Sequence, residues 1–162
     1  SPNNAEWALT QYATALAGLV LVNINPSYRL SEVEYAINKV GCAAIVTATR
    51  FKTSEYVAML DILGAEKLPT LRHRFKIGSE TQRGYRNFAE LMEPAPESAR
   101  AKLHAIGAKL QSDDPINIQF TSGTTGAPKG ATLTHHNILN NGFFVAEAQR
   151  ITHEDKICIP VP

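Results

Sequence analysis

The feature that most restricts the fold is a ten-residue segment, residues 121–130, between two strand-like runs. Residues 116–120 form an apolar run before it, and residues 131–134 alternate like a second strand. The segment holds four Ser/Thr hydroxyls, three glycines and one lysine. Glycines let a backbone approach a ligand closely, successive N–H groups can converge on an anion, and lysine adds positive charge. This pattern favours a polyphosphate-binding loop; a solvated Gly/Ser/Thr hairpin loop is the alternative.

Two familiar nucleotide-binding patterns do not fit this segment. A Walker loop requires Gly-Lys-Ser/Thr five residues after its first glycine, but Pro128 stands five residues after Gly123. A dinucleotide-type Gly-x-Gly-x-x-Gly is absent, and a strand rather than a helix is predicted to follow. The sequence therefore excludes P-loop NTPases and nicotinamide dehydrogenases.

The segment Phe120–Gly130, together with residues 131–135, resembles the signature of adenylate-forming enzymes. This superfamily contains acyl-CoA synthetases, the adenylation domains of peptide synthetases and firefly luciferase. Residues 114–120 and 1–7 resemble the medium-chain fatty acyl-CoA synthetase branch, and a looser resemblance covers essentially the whole chain. The resemblance implies an α/β fold, a mostly parallel sheet with flanking helices. It also implies that residues 1–162 are a fragment of the large N-terminal AMP-binding domain, without a complete second domain.

The resemblance further implies an ATP-dependent fatty acid–CoA ligase that forms an acyl-adenylate and transfers the acyl group to CoA. Lys129 would be the catalytic residue that holds the departing pyrophosphate. The ATP-binding residues carried over by motif are Thr121, Ser122, Gly123, Thr124, Thr125, Gly126, Ala127, Pro128 and Lys129. Fatty acid and CoA would be the other substrates. Mg²⁺ would have its ligands outside this chain, in the missing C-terminal part of the same enzyme.

The isolated chain is therefore expected to be inactive. Two alternatives stay open. The first is a phosphate-binding or scaffold module that performs no chemistry, and the second is another adenylate-forming enzyme, such as an aryl-CoA ligase.

Charge and hydropathy restrict the partners. The chain carries 16 Lys and Arg against 15 Asp and Glu, which disfavours nucleic acid as a partner because such proteins usually show a basic excess. No apolar run approaches the roughly 18 residues of a membrane-spanning helix. The start of the chain lacks the pattern of a secretory signal. A cytoplasmic location is expected, with an organelle matrix as the alternative, and Cys42 and Cys158 are expected to be buried free thiols.

Helical and strand-like periodicities alternate along the chain. Asn3 with Glu6 and Ser31 with Glu34 resemble capping boxes, and Gly41 and Gly64 are predicted to end helices. A last strand is expected at Ile157, Ile159 and Val161. This alternation predicts a parallel sheet, because parallel strands need crossover connections that are usually helical. Helices are expected at residues 9–20, 31–40, 54–63, 87–92, 97–110 and from 135, the last with Ile138, Leu139, Phe143 and Val145 or Ala146 facing inward.

Three further groups invite a functional interpretation. Arg72, Arg74 and Lys76 could form a phosphate patch for the CoA nucleotide, but a half-solvated strand near a sheet edge is favoured. Asp113-Asp114 could bind a metal, but a turn before Pro115 is favoured. His135-His136 diverge on a helix and lack further ligands at metal-binding spacing, which favours a structural role for them near a helix cap formed by Asn137.

Overall fold

The computed structural model describes residues 1–121 and 128–158. Strands and helices alternate through these two ranges. The helices are α1 (Ala5–Leu16), α2 (Leu30–Lys39), α3 (Tyr56–Lys67), α4 (Glu97–Gly107) and α5 (His135–Gln149), with a 3-10 helix at Phe88–Met92. The strands are β1 (Leu21–Asn23), β2 (Ala44–Thr47), β3 (His73–Lys76), β4 (Arg86–Asn87), β5 (Pro115–Thr121) and β6 (Lys129–Thr134).

The strands form two three-stranded sheets. The first has the order β1-β5-β6, with β1 parallel and β6 antiparallel to β5. The second has the order β2-β3-β4 and is entirely parallel. The predicted mostly parallel α/β class is confirmed. The division into two sheets was not predicted, because local periodicity does not say which strands pair.

The core lies against the inner face of α2. Ala36 and Ile37 are completely buried there, as the helical spacing predicts. They pack with residues of α3 and the following turn. Gly64 interrupts α3 with a left-handed backbone (φ 59°), so the predicted helix end is a break within the helix. The buried cluster comprises Tyr28, Val33, Ala36, Ile37, Leu60, Leu63, Leu68 and Leu71.

The two predicted capping boxes are each displaced from the predicted position. Asn4, not Asn3, caps α1, since its side chain accepts the N–H of Trp7 at 2.9 Å. In α2 the Glu32 carboxylate accepts the N–H of Arg29 at 2.9 Å, so Ser31 lies inside the helix. A carboxylate three residues into the helix fixes this end without a Ser or Thr at the cap. Gly41 adopts the predicted left-handed conformation, with φ 64°.

The predicted inward face of α5 is wrong for its largest side chains. Leu139 is 74% exposed and Phe143 57% exposed, and only Ile138 and Ala146 are half-buried. The described part of the chain buries no residue of α5. Periodicity identifies an apolar face but not what covers it. Within the described residues, no helix has the length and apolarity needed to span a membrane.

Two other predictions concern the last strand and the two cysteines. Ile157 is exposed in an irregular segment, and Ile159 and Val161 lie outside the described residues, so the last strand stays a prediction there. Both cysteines are free thiols, but only Cys42 is half-buried, and Cys158 is exposed. Burial raises the pKa of the Cys42 thiol.

Candidate functional site

The predicted phosphate-binding segment joins the two strands of an antiparallel hairpin. Thr121, the last residue of β5, is directly opposite Lys129, the first residue of β6. The Thr121 hydroxyl donates to the backbone carbonyl of Lys129 at 3.4 Å. Thr121, half-buried Pro128 and Lys129 are thus brought together at the base of the hairpin. The other predicted site residues, Ser122, Gly123, Thr124, Thr125, Gly126 and Ala127, lie outside the described residues, so their roles stay predictions.

The hairpin begins at the carboxyl end of a parallel strand pair. β5 is the central strand of its sheet, and Asn23 at the end of β1 is paired with Gln119 near the end of β5. The Trp7 indole N–H donates to the Asn23 side-chain oxygen at 3.3 Å, which connects α1 to this end of β1. Ligands of open α/β sheets bind beyond the carboxyl ends of strands. The segment therefore leaves the sheet where a nucleotide is expected.

Gly130 permits close packing on one face of the hairpin. A Cβ atom at this position would lie 3.1 Å from Cγ2 of Ile118 and 3.5 Å from Cε1 of Phe120. Phe120 is the cross-strand partner of Gly130, and Ile118 lies on the same face of β5 because side chains alternate along a strand. A larger residue at position 130 would therefore require the Ile118 side chain to move, whereas the Phe120 ring stands at ordinary contact distance.

The Lys129 ammonium group has no ion-pair partner among the described residues. Its side chain is exposed, and no carboxylate in residues 1–121 and 128–158 lies within 4.0 Å of its ammonium group. Among the same residues, no group of three or more His, Cys, Asp and Glu side chains could hold a metal ion. What the described base of the hairpin offers to a ligand is one lysine cation and the nearby Thr121 hydroxyl.

The helix after the hairpin is fixed by a reciprocal cap. The Thr134 hydroxyl accepts the N–H of Asn137 at 3.2 Å, and the Asn137 side chain accepts the N–H of Thr134 at 3.0 Å. Asn137 therefore takes part in the cap as predicted, although Thr134 is the cap residue itself. His135 and His136 donate their backbone N–H groups to the carbonyls of Asp114 and Ser112. These bonds attach the start of α5 to the turn before β5.

The turn before β5 explains the adjacent aspartates. The Asp114 carboxylate accepts the N–H of Gln111 at 2.8 Å, and its own N–H donates to the Gln111 carbonyl at 3.1 Å. Both bonds are local. The favoured interpretation of Asp113-Asp114 as a turn is therefore confirmed.

The basic strand occupies a different position from the one predicted. β3 is the central strand of the second sheet, and Lys76 is only 3% exposed, so the prediction of a half-solvated strand near a sheet edge is wrong. β4, the second neighbour of β3, has just two residues and no apolar pattern that would reveal it. Arg74 lies 3.5 Å from the Asp61 carboxylate. This pairing partly neutralises the predicted basic stripe, which weakens the phosphate-patch alternative.

A tyrosine next to that ion pair was not predicted from the sequence. The Tyr85 hydroxyl donates to the Asp61 carboxylate at 3.0 Å, and the Arg74 guanidinium lies 5.7 Å from the centre of the Tyr85 ring. Burial, and next the bond to Asp61, raise the pKa of Tyr85 to about 12. These contacts join α3, β3 and the turn before β4. The neighbouring residues Gly84 and Arg86 do not indicate that Tyr85 would contact Asp61.

The whole chain, residues 1–162, matches the sequence pattern of AMP-binding enzymes. The chain belongs to the AMP-binding enzyme family. The chain is 45% identical over 177 aligned residues to the medium-chain acyl-CoA ligase ACSF2, mitochondrial, of Danio rerio, covering 99% of the chain and 29% of the relative. It is 33% identical to the putative acyl-CoA synthetase YngI of Bacillus subtilis, covering 99% of the chain and 31% of that relative. It thus spans less than a third of the length of these relatives.

The fold of the chain also has solved counterparts. One is the inhibitor-bound N-terminal domain of FACL13 from Mycobacterium tuberculosis, with a TM-score of 0.72 and 22% identity, covering 99% of this chain and 36% of that one. At this identity the similarity concerns the fold. It agrees with the predicted α/β fold.

Proposed function

We propose that this chain supplies the phosphate-binding loop of an ATP-dependent ligase that joins a fatty acid to CoA. One observation carries the proposal: Lys129 stands at the base of the hairpin opposite Thr121, exposed and without a carboxylate partner in the described part of the chain. Family membership and the names of the relatives support ATP as the anion and an acyl-CoA ligase as the type of enzyme.

The proposed reaction has two steps. A carboxylate oxygen of the fatty acid attacks the α-phosphorus of ATP, the bond to the bridging oxygen breaks, and pyrophosphate leaves. The CoA thiol then gives its proton to solvent and attacks the acyl carbon as the thiolate, and AMP leaves with the electron pair of the broken C–O bond. Mg²⁺, when bound, neutralises phosphate charge, and in this proposal its ligands lie outside the chain. The first step depends mainly on positioning and on stabilising charge that moves onto pyrophosphate.

The loop residues have distinct proposed roles. N–H and hydroxyl donors of residues 121–125 contact the β- and γ-phosphates, while Gly123 and Gly126 allow the backbone to approach them. Pro128 restricts the backbone just before β6 because its ring fixes φ. The Lys129 ammonium pairs with the departing pyrophosphate. A charge-assisted contact of this kind is stronger than one between neutral groups.

The names and lengths of the relatives support proposals about the acyl substrate and about the rest of the machinery. A medium-chain fatty acid is the proposed acid, because relatives at 45% identity and below are named medium-chain acyl-CoA ligases. The chain alone is proposed to be inactive, since it spans 29% of such a relative and its remaining machinery would lie elsewhere in the same protein. The names of these relatives favour mitochondria over the cytoplasm, which microscopy of the tagged full-length protein would test.

A lysine substitution in the protein encoded by the complete gene tests the proposal. We expect Lys129→Ala to lower fatty-acid-dependent ATP–pyrophosphate exchange by more than about tenfold, because a hydrogen bond to a charged group contributes roughly 1.5–3 kcal/mol. Lys102→Ala, an equal loss of charge on the exposed side of α4, is the control and should keep the exchange rate. Unchanged exchange in Lys129→Ala would remove the role assigned to this lysine.

A second measurement identifies the preferred acid and tests whether the protein is a ligase at all. The complete protein should form acyl-CoA fastest from a medium-chain acid when acids of graded length and benzoate are compared. A preference for benzoate would identify an aryl-CoA ligase instead. Phosphate binding without exchange for any acid would identify a module that performs no chemistry.

A further inference from the structure

We infer that Phe120 is a positioning residue for the phosphate-binding loop, held between Gly130 and Tyr35. This inference rests on the proposed function, because it concerns how the same loop is held in place for ATP. Phe120 itself is not proposed to touch ATP. Its role follows from what its ring contacts on each side and from its place next to Thr121.

On one side, the ring packs across the hairpin over Gly130. The two residues are directly opposite each other, one pair inward from Thr121 and Lys129. A Cβ atom at Gly130 would lie 3.5 Å from Cε1 and 3.7 Å from Cζ of Phe120, which are ordinary contact distances, so the ring lies directly beside the glycine. Aromatic side chains that cover a glycine in the neighbouring strand pin the register of a strand pair. The Phe120–Gly130 pair therefore fixes the register of β5 and β6, and with it the position of Lys129 opposite Thr121.

On the other side, the ring meets α2. Tyr35 and Phe120 pack edge to face, with 6.4 Å between ring centroids and an interplanar angle of 67°. Tyr35 is followed on α2 by Ala36 and Ile37, which are completely buried in the core. Edge-to-face pairs at this distance are favourable beyond the area they bury. Phe120 thus connects the hairpin to α2, which contributes two completely buried residues to the core.

These two contacts have a consequence for binding. Side chains alternate along β5, so Thr121 projects to the face opposite Phe120 while its backbone follows directly. A displacement of the Phe120 ring moves the Thr121–Lys129 pair without removing any group that binds phosphate. Since positioning errors of about 1 Å can cost up to about 100-fold in rate, a smaller side chain at position 120 should weaken ATP use specifically.

The test measures ATP–pyrophosphate exchange in the protein encoded by the complete gene. For Phe120→Leu we expect the KM for ATP to rise by about fivefold or more, while the KM for the fatty acid stays within about twofold. Tyr35→Leu should shift the same parameter, because it removes the edge contact that holds the ring. Gly130→Ala should shift it too, because its Cβ would press on Ile118 at 3.1 Å and disturb the hairpin beside the ring. Phe120→Tyr keeps an aromatic ring and should restore the KM for ATP to near the wild-type value.

A matched control separates positioning from general stability. Phe88→Leu makes the same change in a ring that is buried in the 3-10 helix next to the second sheet. It should lower the unfolding midpoint but leave the KM for ATP unchanged. The inference is overturned if Phe120→Leu leaves the KM for ATP unchanged, or if Phe88→Leu raises it equally. Wild-type protein without exchange, or with exchange that survives Lys129→Ala, would instead defeat the proposed function.

Discussion

The side-chain amide nitrogen of Asn117 donates a hydrogen bond to the side-chain oxygen of Gln11 across 3.2 Å. Asn117 lies in β5 and is completely buried, whereas Gln11 belongs to α1, which has no buried residue. The side-chain oxygen of Asn117 has no partner among the described residues. One polar contact therefore attaches α1 to the central strand of the first sheet, at a site where an unpaired group is costly.

Removal of the Gln11 acceptor should destabilise the protein. Gln11→Met keeps the length of the side chain but leaves the buried amide of Asn117 unpaired, which costs roughly 1–3 kcal/mol. The double variant Gln11→Met, Asn117→Leu removes both polar groups and should regain most of that loss. Urea unfolding measures the difference, with the exposed Gln119→Met as control. Equal stability of Gln11→Met and the wild type would show that the contact contributes nothing.

Two glycines with nearly the same backbone conformation should respond differently to alanine. Gly18 has φ 66° and Gly41 has φ 64°, so alanine in either place should cost about 1–2 kcal/mol from the left-handed conformation alone. A Cβ at Gly18 would also lie 3.1 Å from the side chains of Ile106 and Leu110, whereas a Cβ at Gly41 meets no described atom within 4 Å.

We therefore expect Gly18→Ala to lower the unfolding midpoint more than Gly41→Ala. Thermal unfolding followed by circular dichroism measures both. The difference between the two variants isolates the packing of α4 against the turn after α1. Equal midpoints would mean that α4 does not lie against Gly18 in solution.

The raised pKa of Tyr85 makes stability depend on alkaline pH. The unfolded chain releases this proton near pH 10, whereas the folded chain holds it to about pH 12. Its stabilising contribution is complete below pH 10 and is lost as the pH rises toward 12. Tyr85→Phe should therefore flatten the decline of stability in this window and remove a late step from the ultraviolet titration of tyrosinate. Tyr12→Phe, which changes a 73% exposed ring, should leave that late step in place.

Local signals predicted much of the fold and part of the candidate site. Gly41 has a left-handed backbone after α2 as expected, because few other residues adopt that conformation easily, whereas Gly64 breaks α3 instead of ending it. The strand pattern on both sides of residues 121–130 predicted the hairpin, which the pairing of Thr121 with Lys129 confirms at its base. Both features depend on residues that are close together in the sequence, so a local pattern is enough to predict them.

Features that depend on distant residues could not be predicted in this way. β4 consists of Arg86 and Asn87, and only its pairing with Phe75 and Lys76 makes it a strand. That pairing places β3 at the centre of a sheet and buries Lys76, contrary to the alternation of charge that suggested an edge. Likewise, the edge contact between Tyr35 and Phe120 joins residues 85 positions apart (120 − 35), and neither residue alone indicates it.

The alternating faces of the β5–β6 hairpin also restrict which length changes the segment can tolerate. A single residue inserted into or deleted from β6 would transfer Lys129 to the face now occupied by Gly130, or force the strand to bulge. α4 is an exposed helix outside both sheets. One residue more or less near its start at Glu97 would therefore leave the alternation of side chains in the strands unchanged. Sequences that keep this hairpin should therefore vary in length around α4 and hardly at all within β6.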